Sequence, residues 1–442
     1  MNSFKNTFDQ IMSKSITSLI DVLFSLSHIK NLGKGTKINA PEDFTPVLRF
    51  VVCSDIHLNG EEQQEAAIRF GQLFEDIYAF SQKCDAYKRL DAVVVAGDFT
   101  GGGGEAEYKM FNAVVEKHIK DETKLLCVLG NHEFINYRDY NASIGYDIYK
   151  KYISEEVDTH VVINGYHFIG VSYDNDGKKF KGKLLWLREQ LDNATKENPL
   201  RPVFVYQHPH PLATVYGSIN WGDTDLRKVL SQYPQVVDFS GHSHYAPSDP
   251  RSVWQGSFTA VGCGSLSAFM GNLNYIDGDK DAPGKSGGFW LVEVDNAGNI
   301  KMRLYDIENR TFFSDIEYYF ENLADDKKRT YTWSKQKSLD TKPSFPKNAV
   351  IRAEKDNDGN IILKFPSASG FYPAENYKVT VSSEKIGVAV ADTFISDYVR
   401  ASVNGENINI GTLKSGEYKV KIIAYSPYAK RGENLKGTIT VK

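Results

Sequence analysis

The chain has 442 residues, 41% of them hydrophobic and 24% charged, with a net charge of −4. That length is too great for one ordinary core, so two or three domains are expected, and the acidic balance excludes a general electrostatic attraction for nucleic acid or anionic lipid. Four cysteines, Cys53, Cys84, Cys127 and Cys263, are too few for a disulfide framework in a chain this long.

The first 44 residues contain Phe4, Phe8, Ile11, Met12, Leu19, Leu23 and Leu26 at helical spacing, which predicts an amphipathic helical extension. Asp21 interrupts its apolar run, no small-residue cleavage site follows, and the run is too short and polar to span a bilayer. Packing on the main body is the expectation, with peripheral membrane contact as a weaker alternative, and cytoplasmic residence is favoured.

From residue 45 to about 325, apolar runs alternate with helical patterns. "VLRFVVCSDIH", "LDAVVVAGDFT" and "KLLCVLGNHE" read as buried strands, with helices predicted over "EEQQEAAIRFGQLFEDIYAFSQKC" and "EAEYKMFNAVVEKHIK" between them. "THVVINGYHFIGVSYD" reads as a hairpin about Asn164-Gly165. A helix over "GKLLWLREQLDNATKENP" and a strand in "RPVFVYQHPHP" follow, and "GGFWLVEVDNAGNIKMRLYDI" reads as a second hairpin. This alternation argues for an α/β domain with strands covered on both faces. Apolar periodicity fades over 326–344, which predicts a linker. Residues 345–442 carry short alternating strands separated by Asp-Gly and Asn-Gly turns, the pattern of a small all-β sandwich similar to fibronectin-III or immunoglobulin-like domains.

The predicted strands of the α/β domain end in ligand-type residues: Asp55 and His57, Asp98, Asn131 and His132, His208, and His242 and His244. Strand C-terminal ends are where α/β sites form. Carboxylates mixed with imidazoles suit manganese, iron or zinc better than magnesium or calcium. In "FSGHSHYAP", Gly241 would let the backbone turn sharply, and His242 and His244 would share a face if the segment stayed extended.

The ordered blocks "DIH", "GD", "GNHE", "QHPHP" and "GHSH" resemble those of the calcineurin-like metallophosphoesterases. The resemblance spans residues 45 to about 310 and implies a four-layer αββα sandwich with two metal ions. It assigns Asp55, His57 and His244 to one ion and Asn131, His208 and His242 to the other, with Asp98 bridging. It also implies that His132 protonates the leaving oxygen while a metal-bridging hydroxide attacks phosphorus. His210 is expected to support the ligands and Glu133 to orient its neighbours. "GDFTGGG" lacks the Asp and Arg that protein serine/threonine phosphatases carry after "GD", and the chain also lacks the D-x-G start and the tyrosine ligand of purple acid phosphatases. What remains resembles bacterial phosphodiesterases, so a small phosphodiester, cyclic nucleotides included, is the expected substrate. Phosphomonoesterase or pyrophosphohydrolase activity is the alternative, and a non-catalytic metal-binding scaffold is a further one. "ATVYGSINWGDTD" offers Thr214, Tyr216 and Trp221 as weak substrate-contact candidates, with a packed loop as the rival reading. Nucleic acid is not an expected partner.

Overall fold

A computed structural model describes residues 38–442 except 63, 138–142, 175–178, 181, 270–285, 400 and 402–404. The predicted N-terminal helix lies almost wholly before residue 38, outside the described residues.

Two six-stranded sheets make the centre of the α/β domain. The first contains β1 (Pro46–Cys53), β2 (Ala92–Val95) and β3 (Lys124–Cys127), which run parallel. The second contains β4 (Thr159–Ile163), β5 (Tyr166–Gly170), β6 (Val203–Gln207) and β7 (Val236–Ser240), joined by β8 (Val253–Gln255) and β9 (Thr259–Gly262). Its order is β4-β5-β6-β7-β9-β8. An antiparallel meander of β10 (Gly288–Asp295), β11 (Ile300–Asp306) and β12 (Thr311–Phe320) then extends the first sheet through the β1–β10 pair, giving β12-β11-β10-β1-β2-β3.

The sheets face each other across one apolar core. Phe50 of β1 meets Phe168, Phe204 and Phe239 edge-on, with ring centroids 5.0, 4.8 and 6.0 Å away. Such pairs contribute about 0.5–1.5 kcal/mol each beyond the area they bury. The outer face of the first sheet is covered by α1 (Glu65–Gln82), α2 (Glu105–His118) and α3 (Ser143–Tyr152). In α1 the stripe Phe70, Leu73, Phe74 and Ile77 is buried, the i, i+3, i+4, i+7 pattern of a helix facing a core. Beyond the second sheet, α4 (Leu184–Glu197) contributes Leu187, Leu191 and Ala194 to a third apolar cluster. The result is an αββα sandwich.

At the Asn164-Gly165 hairpin both residues have positive φ, 51° and 78°, the geometry that makes this dipeptide a hairpin turn. The C-terminal region packs a three-stranded sheet on a four-stranded one around Leu363, Tyr377, Val379, Val381 and Ile422.

Residues 326–344 differ from the expected linker. They form a short helix, Trp333–Leu339, fastened to the α/β domain by hydrogen bonds. Gln255 Oε1 accepts from the Thr330 and Tyr331 backbone N–H groups at 2.9 and 3.1 Å, and Gln336 Nε2 donates to Val253 O at 2.8 Å. Tyr331 also packs on Tyr318 and Phe320, with ring centroids 4.9 and 5.3 Å away, so single side chains and hydrogen bonds fasten a segment with no apolar period to read. All four cysteines are free, and Cys53, Cys127 and Cys263 are buried. No described helix is long and apolar enough to cross a membrane.

Candidate metal centre

The ends of β1, β2, β3, β6 and β7 converge on one cluster. After β1 and β2 the two chains stay zipped together: the Asp55 N–H donates to Gly97 O at 3.1 Å and the His57 N–H to Asp98 O at 3.1 Å. The Gly241 N–H donates to His208 O at 3.0 Å, which ties the β6 and β7 ends in the same way.

Asp55, His57, Asp98, His242 and His244 all have left-handed backbones, with φ between 51° and 71°. Non-glycine residues adopt this region rarely, at a cost of about 1–3 kcal/mol each, and such residues gather where surrounding structure enforces them. The expectation for "GHSH" is therefore corrected. The two histidines turn the chain themselves, and Gly241 is absent from the residues of positive φ. Gly241 is needed for close approach, because a Cβ there would overlap Ser54 Oγ and Asp55 Oδ2. Gly130 is confined in the same way by Asp98.

Three groups of side chains present ligand atoms within 4.8 Å of one another: Asp55, His57 and His244; Asp98, His208 and His242; and His57, Asp98 and His132. His57 Nε2 lies 3.0 Å from His244 Nε2, and Asp55 Oδ1 lies 3.0 Å from His244 Nε2. His208 Nε2 faces Asp98 Oδ2 at 2.9 Å, Asn131 Oδ1 at 3.1 Å and His242 Nδ1 at 3.2 Å. His208 Nδ1 donates to Ala96 O at 2.9 Å. That bond fixes the tautomer and leaves the Nε2 lone pair for the cluster.

Whether this cluster suits metal ions can be judged from its own chemistry. Asp55 Oδ1 is buried, and the polar atoms facing it are the Nε2 atoms of His244, His57 and His208 at 3.0, 3.7 and 4.0 Å, so its charge is costly there unless a proton or cation offsets it. Burial alone would raise the Asp55 pKa, but His244 and His208 outweigh it and hold the carboxyl well below its usual range. Asp98 behaves alike: burial is the largest influence and raises it, but the charge and hydrogen bond of His208 and the charge of His57 together bring it down to about 2. The carboxylates in turn lift His208 against its own burial. Two buried carboxylates thus draw on imidazolium charge that a divalent cation would replace. Oxygen and imidazole donors without thiolate match manganese, iron or zinc, so the residues fit.

Around these ligands, Glu133 binds the loops together. Its buried carboxylate accepts from the backbone N–H groups of Asp98, Thr100 and Gly130 at 3.1, 2.9 and 2.6 Å. Burial, with the charge of Asp98, pushes it up to about 7. His210 sits between Ser240 Oγ at 2.7 Å and Ser243 Oγ at 2.8 Å, buried behind the cluster. His132 is at the open side, about one third exposed; its Nδ1 donates to Gly101 O at 2.8 Å, and its ring lies 4.4 Å from that of His57.

The three substrate-contact candidates separate. Trp221 is partly exposed and meets the His242 ring edge-on at 5.9 Å. Thr214 and Tyr216 are turned into the protein. Thr214 Oγ1 donates to Pro211 O at 2.6 Å, and Tyr216 is held by Arg251 and Glu375. Both hydroxyls are thus engaged within the protein, as the rival reading of the loop expects. Arg251 and Glu375 had no signal in the sequence beyond the charged "SDPR" following the last histidine.

A cavity of about 460 Å³ lies elsewhere, between the α/β domain and the C-terminal sandwich, lined by Tyr318, Tyr331 and Tyr372 among others. Its wall contains Asp315 and Glu317 and, among the described residues, no lysine or arginine. Such a wall suits a phosphate ester poorly, so the histidine cluster is the better site.

Fold and cluster together define an αββα sandwich with a candidate metal-binding site at its strand ends. Residues 48–246 match the family model for calcineurin-like phosphoesterases. No curated protein matches the chain. Among solved structures it matches purple acid phosphatase PPD1 from yellow lupin (Lupinus luteus) seeds at 13% identity and TM-score 0.44, over 64% of this chain and 55% of that one. It also matches a Parabacteroides merdae β-glucuronidase at 9% identity and TM-score 0.20, over 90% of this chain and 50% of that one. The chain thus spans about half the length of these two proteins.

Proposed function

We propose that the chain hydrolyses small phosphodiesters at a dinuclear metal centre, with manganese, iron or zinc as its ions. Asp55, His57 and His244 would hold one ion, Asn131, His208 and His242 the other, and Asp98 would lie between them. The observation that carries this reading is the buried Asp55 Oδ1 set 3.0 Å from His244 Nε2, which itself lies 3.0 Å from His57 Nε2. Bound there, the ions would supply Lewis-acid stabilisation of phosphoryl oxygens and an activated water. His132 acts at the rim: Gly101 O occupies its Nδ1–H, so Nε2 is the nitrogen that exchanges a proton with the leaving oxygen. The diester preference is supported by the motif blocks, "DIH", "GDFTGGGG", "GNHE", "QHPHP" and "GHSH", which contain no lysine or arginine. A diester monoanion has less charge to neutralise than a monoester dianion.

The test compares bis-p-nitrophenyl phosphate with p-nitrophenyl phosphate on metal-stripped protein, with and without added Mn²⁺. The expected result is Mn²⁺-restored turnover favouring the diester, with His132→Ala losing roughly 100-fold or more in kcat while still binding Mn²⁺. Preference for the monoester would overturn the substrate reading, and absence of turnover with any of the three metals would overturn the enzymatic one.

A further inference from the structure

The segment that follows the last histidine is clamped by the other domain. Arg251, whose side chain is 11% exposed, closes on Asp249, with Nε to Oδ1 at 2.8 Å and Nη2 to Oδ2 at 2.6 Å. It also donates to Glu375 Oε1 at 2.5 Å. Glu375 lies in the C-terminal sandwich, directly before the strand Asn376–Ser383. Tyr398 of the same domain reaches Asp249 Oδ2 at 3.4 Å.

The guanidinium lies 3.8 Å above the centre of the Tyr216 ring, and the Tyr216 hydroxyl donates to the same Glu375 oxygen at 3.2 Å. Tyr216 lies against Tyr245 with the rings tilted by 30° and their centroids 4.6 Å apart. Tyr245 directly follows His244, and it also touches Trp221, 5.9 Å away. A Cβ at Gly217 would overlap both Ser243 and Tyr245, so the loop of Tyr216 and the loop of the two histidines have no slack between them.

From these contacts we propose that Glu375 of the C-terminal sandwich is a positioning residue of the metal centre. Through Arg251 and Tyr216 it fixes Tyr245, and so the left-handed backbone that aims His242 and His244 at their ions. The C-terminal domain is then a working part of the active site. A strained backbone relaxes when the groups enforcing it are loosened, and residues that orient metal ligands typically govern affinity by 10- to 100-fold. The inference rests on the metal centre proposed above.

The test uses the full chain and three measurements: Mn²⁺ affinity by titration calorimetry, kcat and KM on bis-p-nitrophenyl phosphate, and Tm. Glu375→Ala is expected to weaken Mn²⁺ binding about tenfold or more and to lower kcat, with KM little changed. Glu375→Gln keeps an acceptor oxygen for Arg251 and Tyr216, so it should restore Mn²⁺ affinity to within roughly threefold of the unaltered chain. Glu354→Gln, at an exposed ion pair with Lys364 in the same domain, should change neither. Where Glu375→Ala does not fold, Tyr216→Phe removes the hydroxyl link alone and should still weaken Mn²⁺ binding severalfold. Unaltered Mn²⁺ affinity and kcat in Glu375→Ala or, failing that, in Tyr216→Phe would overturn the proposal, whatever the change in Tm. An unaltered chain that binds no Mn²⁺, iron or zinc would instead overturn the metal centre itself, and this proposal with it.

Discussion

His57 and His244, 187 residues apart in the chain, bring their Nε2 atoms to 3.0 Å, with Asp55 Oδ1 at 3.0 Å from the second of them. Two imidazole lone pairs and a buried carboxylate oxygen held this closely repel one another unless a proton or a cation lies between them. Metal should therefore stabilise the fold markedly. At a free Mn²⁺ concentration 100 times its dissociation constant, each site is expected to add about 2.7 kcal/mol. Thermal melts with and without Mn²⁺ check this, and His57→Ala should lose most of the gain at its site.

Gly130 and Asp98 are in a contact that leaves no room for a side chain. Gly130→Ala is expected to cost about 1–3 kcal/mol in urea denaturation, as overpacking usually does, and to weaken Mn²⁺ binding by displacing Asp98. A Gly130→Ala variant with unchanged stability would show that the β3 end is looser than this geometry allows.

Glu293 is buried against Arg49, with Nη2 to Oε1 at 2.7 Å, and against Lys301 and Arg303. Burial would raise its pKa, but Lys301, Arg49 and Arg303 together hold it below the usual carboxylate value. A depressed carboxyl stabilises the fold above its unfolded pKa of about 4.3, and that stability is lost as pH falls through the lower folded value. Glu293→Gln should thus cost about 3 kcal/mol at pH 7, because it strands Arg49. Urea melts should show the gap to the unaltered protein narrowing below pH 4. A gap constant from pH 7 to pH 3 would contradict the ion-pair account.

Trp221 meets the metal-ligand candidate His242 at 5.9 Å and is partly open to solvent. If it contacts substrate, Trp221→Ala should raise KM roughly fivefold through the lost ring contact, leaving kcat nearly intact. A fall in kcat at unchanged KM would make it a support for His242 instead.

Much of this molecule was legible in its sequence, for identifiable reasons. Strands buried on both faces gave continuous apolar runs, α1 showed its 3.6-residue stripe, and Asn164-Gly165 named its own hairpin. The ligand-type residues were visible because α/β folds place sites at strand ends, and the five blocks fell in order. The left-handed backbone at Asp55, His57, Asp98, His242 and His244 was not legible, since none of these types requires it and only the assembled loops impose it. Nor was the packing of residues 326–344, which rests on single hydrogen bonds to Gln255 and Val253 and on the one ring of Tyr331 set against Tyr318 and Phe320. The Arg251–Glu375 pair joins residues 124 apart in sequence, and no local pattern announces such a contact. An aromatic loop beside a site reads the same in sequence whether its rings face a ligand or the core, and only the structure shows that the Thr214 and Tyr216 hydroxyls bond within the protein.

The most direct test of the two-ion account is metal stoichiometry. Mn²⁺ titrated into the metal-stripped full chain should fill two sites per molecule, and Asp98→Asn should weaken both, because its carboxylate lies between the two ligand groups. Binding of a single ion that Asp98→Asn leaves untouched, or no binding of Mn²⁺, iron or zinc at all, would contradict it.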